Sequence, residues 1–324
     1  MKRAIITGIL GQDGSFLYEL LERLGYQVYG IARKNLSTNS KKIKDELSKR
    51  GKNPIIYEVD LQEYEEIKNV IKAIQPDEIY HLSASHVSSE GRRNGEAIDE
   101  NQLFKWNVSA TANVLAACNE IARGTKILTA GSCLMFDSSR TKEQDETTIY
   151  SSDSLYGIGK ITENKIVDYY RKRGLFACTA ILYNHESYRR SEDFVTKKIV
   201  RNMCRLKKDN NHCFSLGNIE IKKDWGYAKD YVKGMYLMLQ GERPQDYILS
   251  SGELHSIKEF IDVCAEILQI KDWHEHVEIN CNITNRNNGT QLFGNPKKIE
   301  TELGWKKEKG FKEWISEMIM EEMR

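Results

Sequence analysis

Thr7-Gly8-Ile9-Leu10-Gly11-Gln12-Asp13-Gly14 follows a short apolar run, Ala4-Ile5-Ile6. It leads into Ser15–Leu24, where Phe16, Leu17, Leu20, Leu21 and Leu24 recur at helical spacing. Strand, glycine-rich turn, then helix is the order in which a chain wraps the phosphates of a dinucleotide. Gly8 permits a tight turn, Gly11 lets the backbone approach a pyrophosphate, and Gly14 lets the helix pack close to the strand. The helix N-terminus then turns unpaired N–H groups toward the phosphates. Thr7, Gln12 and Asp13 complete this candidate cofactor contact. The plain alternative is an ordinary glycine-rich turn.

Outward from that turn, strands and helices alternate. Val28–Ala32, Ile55–Val59, Ile79–Leu82, Lys126–Ala130 and Ala177–Tyr183 read as strands. Glu63–Ile74, Ala110–Ile121 and Ser154–Arg173 read as helices between them. This rhythm predicts an α/β fold: a Rossmann-like, doubly wound parallel sheet with ligands at the C-terminal strand ends. After Tyr183 the segments become short and mixed, with helices at Phe194–Leu206 and Ser256–Leu268. The expected division is a dinucleotide-binding domain over 1–183 and mainly a smaller mixed α/β substrate-binding lobe over 184–324, with interleaved boundaries. The charge run Lys41–Lys52 reads as a solvated helix.

Composition bounds the function. The chain has 324 residues, 48 Lys+Arg against 47 Asp+Glu, and a formal charge of +1. That balance argues against nucleic acid or a membrane surface as partner. No apolar run reaches the length of a membrane span. Seven cysteines, with no C-x-x-C, suit reduced thiols in a cytoplasmic protein. His274-Glu275-His276 has no evident third ligand, so no metal is expected.

Further candidates lie at strand ends. Arg33-Lys34 follows the second strand, where an acid would suit the ribose hydroxyl of NAD. Two cations suit a 2′-phosphate, which favours NADP(H) with NAD(H) as the alternative. Asp60 and Leu61 after the third strand, and Leu82 after the fourth, border the expected cofactor site. Asp60 reads equally as a helix N-cap. Tyr156-Gly-Ile-Gly-Lys160 puts a phenol and an ammonium on one helix face. A neighbouring ammonium is expected to lower the Tyr156 pKa, so that the phenol can take a hydroxyl proton as hydride leaves the same carbon. Ser132, at the end of the fifth strand, is placed to hydrogen-bond the reacting oxygen.

These motifs together resemble the extended short-chain dehydrogenases and, within them, the GDP-mannose 4,6-dehydratase family. Thr7–Leu17 (TGILGQDGSFL) is similar to that family's opening, and the resemblance covers nearly the whole chain. Arg33–Ile43 (RKNLSTNSKKI) resembles the family's arm that reaches a neighbouring subunit, which implies a homo-oligomer, dimer or tetramer. Tyr183–Ile199, Leu216–Val232 and Leu303-Gly304-Trp305 resemble further signatures. The resemblance implies a nucleotide-diphosphate sugar, GDP-linked, as substrate. Asn184, Lys198, Lys223 and Arg286 would contact it, with Lys223 standing where the family carries an Arg. The ribose-binding Glu of the family's R-P-T-E segment is absent from Arg286-Asn287-Asn288-Gly289. His86, in a segment similar to the family's but one residue shorter, would contact substrate or serve structure, and Gly91–Phe104 reads as a long polar loop.

One departure shapes the expected chemistry. Where the family reads A-S-T-S-E-M-F, this chain reads Ala130-Gly131-Ser132-Cys133-Leu134-Met135-Phe136. The resemblance makes Ser132 equivalent to the family's Thr, and puts Leu134 where a Glu moves the C5 proton during loss of water. Leucine moves no proton, and losing a general acid–base costs about 10²–10⁴ in rate. The expectation is therefore hydride transfer at sugar C4 of a GDP-hexose or GDP-heptose with impaired elimination: a 4-dehydrogenase, 4-ketoreductase or epimerase. Two alternatives stay open. One is a working dehydratase with a substitute base such as Asp137 or Cys133. The other is a non-catalytic dinucleotide-binding sensor.

Overall fold

The computed structural model describes residues 1–84, 99–136, 143–280 and 291–324. The first half runs β1 (Arg3–Thr7), α1 (Gln12–Arg23), β2 (Gln27–Ala32), α2 (Thr38–Lys49), β3 (Ile55–Glu58), α3 (Tyr64–Ile74), β4 (Glu78–His81), α4 (Glu100–Ile121), β5 (Lys126–Ala130), β6 (Glu143–Gln144), α5 (Leu155–Arg171) and β7 (Ala177–Leu182). The second runs β8 (Asn184–Glu186), α6 (Val195–Lys208), β9 (Phe214–Leu216), β10 (Lys222–Tyr227), α7 (Ala228–Gln240), β11 (Tyr247–Leu249), β12 (Leu254–Ser256), α8 (Ile257–Leu268), β13 (Val277–Ile279), β14 (Phe293–Gly294), α9 (Lys297–Leu303) and α10 (Phe311–Met323).

Seven parallel strands form the main sheet in the order β11-β7-β5-β4-β1-β2-β3. The strand order reverses between β1 and β4, so a crevice opens at their C-terminal ends. Alternation along each strand builds two cores. Ile5, Ile31, Ile79 and Ile127 pack with α3 and α4 residues such as Ile67, Ile71, Val114 and Leu115. Ile6, Tyr80 and Leu128 face the other way, onto Leu17 and Leu21 of α1 and Met235 of α7. A third core joins α6, α8 and α10 through Ile199, Met203, Phe260, Cys264, Trp314 and Ile315.

Three elements depart from the sequence reading. Helix α4 starts at Glu100 rather than Ala110, because the Asp99 carboxylate caps it by accepting from Gln102 N at 2.9 Å. Its first three residues, Glu100-Asn101-Gln102, are polar and mask the start, so Glu100–Phe104 is helix, not loop. The sheet takes a last strand from β11, three residues long, and α7 packs beside α1 to cover it. The charge run lies largely in α2, which is not wholly solvated: Ile43 and Leu47 are buried.

Candidate active site

The glycine turn is held by backbone contacts. Gly8 has φ +72° and donates its N–H to Ile31 O at 3.0 Å. Gly11 N–H then bonds Gly8 O at 2.8 Å. A Cβ on Gly14 would lie 2.2 Å from Gly8 O and 2.8 Å from Ile9 Cα, so only glycine fits where α1 crosses the turn. Helix α1 opens at Gly11 with no side chain capping it.

Thr7, at the end of β1, is tied to β4. Its Oγ1 lies 2.9 Å from His81 Nδ1 and accepts from Ser83 N at 3.2 Å. Burial, with help from the Lys160 charge, pushes His81 down to about 3, so this imidazole is neutral. Leu82 follows it, half-buried.

Gln12 and Asp13 are engaged by the second half of the chain. Gln12 Nε2 donates to His185 O at 3.1 Å, and Ser187 Oγ donates to Gln12 Oε1 at 2.8 Å. Asp13 Oδ2 pairs with His185 Nε2 at 2.8 Å. Burial alone would favour both neutral forms, but the mutual attraction wins: Asp13 is held low and His185 raised. The His185 ring stacks on Tyr231 at 4.7 Å. Sequence reasoning quoted the segment holding His185 but did not single this residue out. A histidine two residues past a strand carries no local sign of a partner so distant in sequence.

Ser132, Tyr156 and Lys160 gather at the turn after β5. Ser132 Oγ accepts from Leu134 N at 3.2 Å and starts a short 3-10 turn, Cys133–Met135. That turn packs on the start of α5 at Gly157, where a Cβ would lie 2.1 Å from Leu134 O. Four residues apart on α5, Tyr156 and Lys160 share a face as expected, with Lys160 Nζ 5.9 Å from the Tyr156 ring centre. Lys160 Nζ also donates to Ala130 O at 2.9 Å and pairs with Glu163 at 3.0 Å. Glu163, which the sequence reading passed over, is buried and accepts from Thr111 Oγ1 at 2.9 Å. Contrary to expectation, the Tyr156 phenol is raised, not lowered. Burial is the largest cause; Lys160 opposes it, and the Glu163 carboxylate adds to it.

Cys133 is buried and its thiol pushed up to about 12, which leaves it a poor proton acceptor. The Lys223 ammonium interacts with it across the site and is itself lowered by burial. Asn184, half-buried on β8, donates to Asp224 O at 3.4 Å. Lys198 is set apart on α6, lining a cavity of about 200 Å³ with Glu192, Arg201, Asn202, Arg205 and Phe214. Arg33 and Lys34 are exposed beyond β2. Asp60 is exposed too, but does not cap α3: its Oδ1 accepts from Gln62 N at 3.0 Å, while Glu63 occupies the cap position. Leu61 is buried, and its carbonyl accepts from Asn113 Nδ2 at 3.1 Å. His86, Asp137 and Arg286 lie outside the described residues.

The family model described as GDP-mannose 4,6 dehydratase matches residues 5–318. GDP-mannose 4,6 dehydratase 1 of Arabidopsis thaliana is 35% identical over 331 residues, covering 99% of this chain and 90% of the relative. The human GDP-mannose 4,6 dehydratase is 33% identical over 339 residues, covering 98% and 90%. Among solved structures, the UDP-glucose 4-epimerase of Thermotoga maritima with UDP-glucose has a TM-score of 0.83 at 17% identity, covering 98% of this chain and 97% of that one. RMD from Pseudomonas aeruginosa complexed with NADPH has a TM-score of 0.79 at 18% identity, covering 100% and 98%. The structural likenesses share the fold; the family match over nearly the whole chain shows that this protein belongs to the GDP-mannose 4,6-dehydratase family of nucleotide-sugar enzymes.

Proposed function

We propose that the protein is an NADP(H)-dependent oxidoreductase of a GDP-linked sugar that moves hydride at C4 and is impaired in elimination. The observation that carries this reading is the convergence of Ser132, Tyr156 and Lys160 on one turn where position 134 is leucine. Tyr156 would exchange the proton of the C4 oxygen, Ser132 would orient that oxygen, and Lys160 would hold the cofactor ribose and bias the phenol.

The residues fit such a cofactor. Helix α1 has no side-chain cap, so its first N–H groups suit a pyrophosphate. Arg33 and Lys34 are exposed beyond β2, where they suit a 2′-phosphate. When bound, the nicotinamide supplies or accepts the hydride. Asn184, Lys198 and Lys223 would contact the nucleotide sugar; a desolvated ammonium such as Lys223 favours an anion. Resemblance of the Arg33–Ile43 arm supports a homo-oligomer, dimer or tetramer. A cytoplasmic setting agrees with the free cysteines, of which all the described ones but Cys213 are buried; among the described residues no helix is long and apolar enough to cross a membrane.

The test is incubation with GDP-mannose and NADP⁺ at neutral and at alkaline pH, followed by product mass. The expected result is a C4-oxidised sugar that keeps its C6 hydroxyl, with Leu134→Glu gaining water loss. Rapid water loss by the unmodified protein would favour the dehydratase reading instead.

A further inference from the structure

Residue Glu163 has no part in the chemistry assigned so far, yet it is one of the most buried carboxylates in the chain. Its residue is 4% exposed and Lys160 is 3% exposed. One carboxylate oxygen takes both available donors, Lys160 Nζ at 3.0 Å and Thr111 Oγ1 at 2.9 Å. The other oxygen, Oε1, is buried with no hydrogen-bond partner. A buried carboxylate with one oxygen unpaired costs stability, and here the Lys160 cation offsets that cost. What it faces is the cation that Tyr156 depends on.

We propose that Glu163, paired with Lys160 at 3.0 Å, is a positioning residue that opposes the Lys160 field at Tyr156 and so sets the site to donate the phenol's proton to a C4 ketone. This rests on the assignment of Tyr156 as the acid–base. In the favoured direction hydride from reduced cofactor forms the new C4–H bond as the C=O π pair moves to oxygen. The Tyr156 O–H bond breaks and its proton completes the C4 hydroxyl. The ketone is reduced and the cofactor oxidised. The reverse reaction needs the phenolate, and therefore rises with pH.

Among the described residues, a few groups dominate the electrostatics at the phenol. From α5 the phenol faces Lys160 and Glu163; from the turn after β5 it faces Cys133; from the segment after β8 it faces Arg190. On β4, His81 is neutral and adds no charge to Lys160. Helix α4 contributes the Thr111 hydroxyl to the pair. The carboxylate of Glu163 raises the phenol, so its removal must lower it.

The experiment titrates Tyr156 in cofactor-free protein by tyrosinate absorbance, as the difference between each protein and its Tyr156→Phe counterpart. Glu163→Gln is expected to bring the midpoint down by about 1 pH unit or more. Glu163→Asp, which keeps the charge, is expected to stay near the parent value. Glu163→Leu carries the same prediction as Glu163→Gln should the amide not fold. In parallel, the pH limb for oxidation of a GDP-sugar alcohol should move down with the phenol. A folded Glu163→Gln protein whose phenol midpoint stays put or rises overturns the proposal. Full hydride transfer by Tyr156→Phe with an unchanged limb would instead overturn the acid–base assignment, while the absorbance titration would still report on Glu163.

Discussion

Asp13 and His185, far apart in sequence, form an ion pair of 2.8 Å that joins the first turn of α1 to β8. The pair clamps the glycine turn to the strand that begins the second half of the chain. Its stability contribution has two edges. Asp13 is held low, so its share is lost as pH falls through that lowered value. His185 is raised, so its share is present below the ordinary histidine value and lost as pH rises through the raised one. Asp13→Asn should therefore cost about 2–3 kcal/mol in denaturant unfolding near pH 6. The gap to the parent protein should narrow at both more acidic and more alkaline pH. A gap independent of pH would mean that packing, not charge, holds this junction.

Gly14 and Gly25 separate two reasons for glycine. A Cβ on Gly14 would strike Gly8 O, whereas a Cβ on Gly25 meets nothing within 4 Å but sits at φ +80°. Gly25→Ala is expected to cost about 1–2 kcal/mol, the strain of the left-handed conformation alone. Gly14→Ala should cost more, about 2–3 kcal/mol, and weaken NADP(H) binding because α1 must shift. Thermal melts with and without cofactor distinguish the two.

Arg189 is the most completely buried guanidinium among the described residues' ion pairs, with a side chain 0% exposed. It reaches Glu19 on α1 and Glu46 on α2, each at 2.9 Å, and stacks over Phe16 at 4.3 Å. Arg189→Met keeps the volume but strands Glu19 and leaves Glu46 with Arg50 alone, and should destabilise by about 3 kcal/mol. Arg189→Lys should recover little, since an ammonium cannot fork to two helices. Chemical unfolding of both variants checks this; full stability in Arg189→Lys would contradict it.

Arg33 and Lys34 are exposed with no close structural duty, so their replacement should spare the fold. Arg33→Ala/Lys34→Ala is expected to weaken NADPH by about 10–100-fold, the loss of one or two charge-assisted contacts. NADH binding should hardly change. Fluorescence titration of the two cofactors measures the ratio, and equal loss for both would place the cations elsewhere than the 2′-phosphate.

Much of the sheet was legible because its signals are local. Ala4-Ile5-Ile6, the glycine turn and the leucines of α1 announce strand, turn and helix within two dozen residues. The start of α4 was not legible, since its cap, Asp99, is followed by three polar residues, Glu100-Asn101-Gln102, before the first apolar side chain, Leu103. Strand β11 was missed because three residues cannot display a period. In the site, Tyr156 and Lys160 could be placed on one face from their spacing alone, and Ser132 from its position after β5.

Sequence alone therefore determined the order of elements, the glycine cradle, and the residue types gathered after β5. Tertiary structure decided the electrostatics. Lys160 beside Tyr156 predicts a lowered phenol, but burial and Glu163 reverse the sign. His185 and Arg189 likewise take their meaning from Asp13, Glu19 and Glu46, which the chain brings to them only by folding. The reason is physical. Backbone preference and amphipathic period act over a few residues and can be read along the chain. Desolvation and charge–charge interaction depend on distance through space, and come into being only once the core has closed around them.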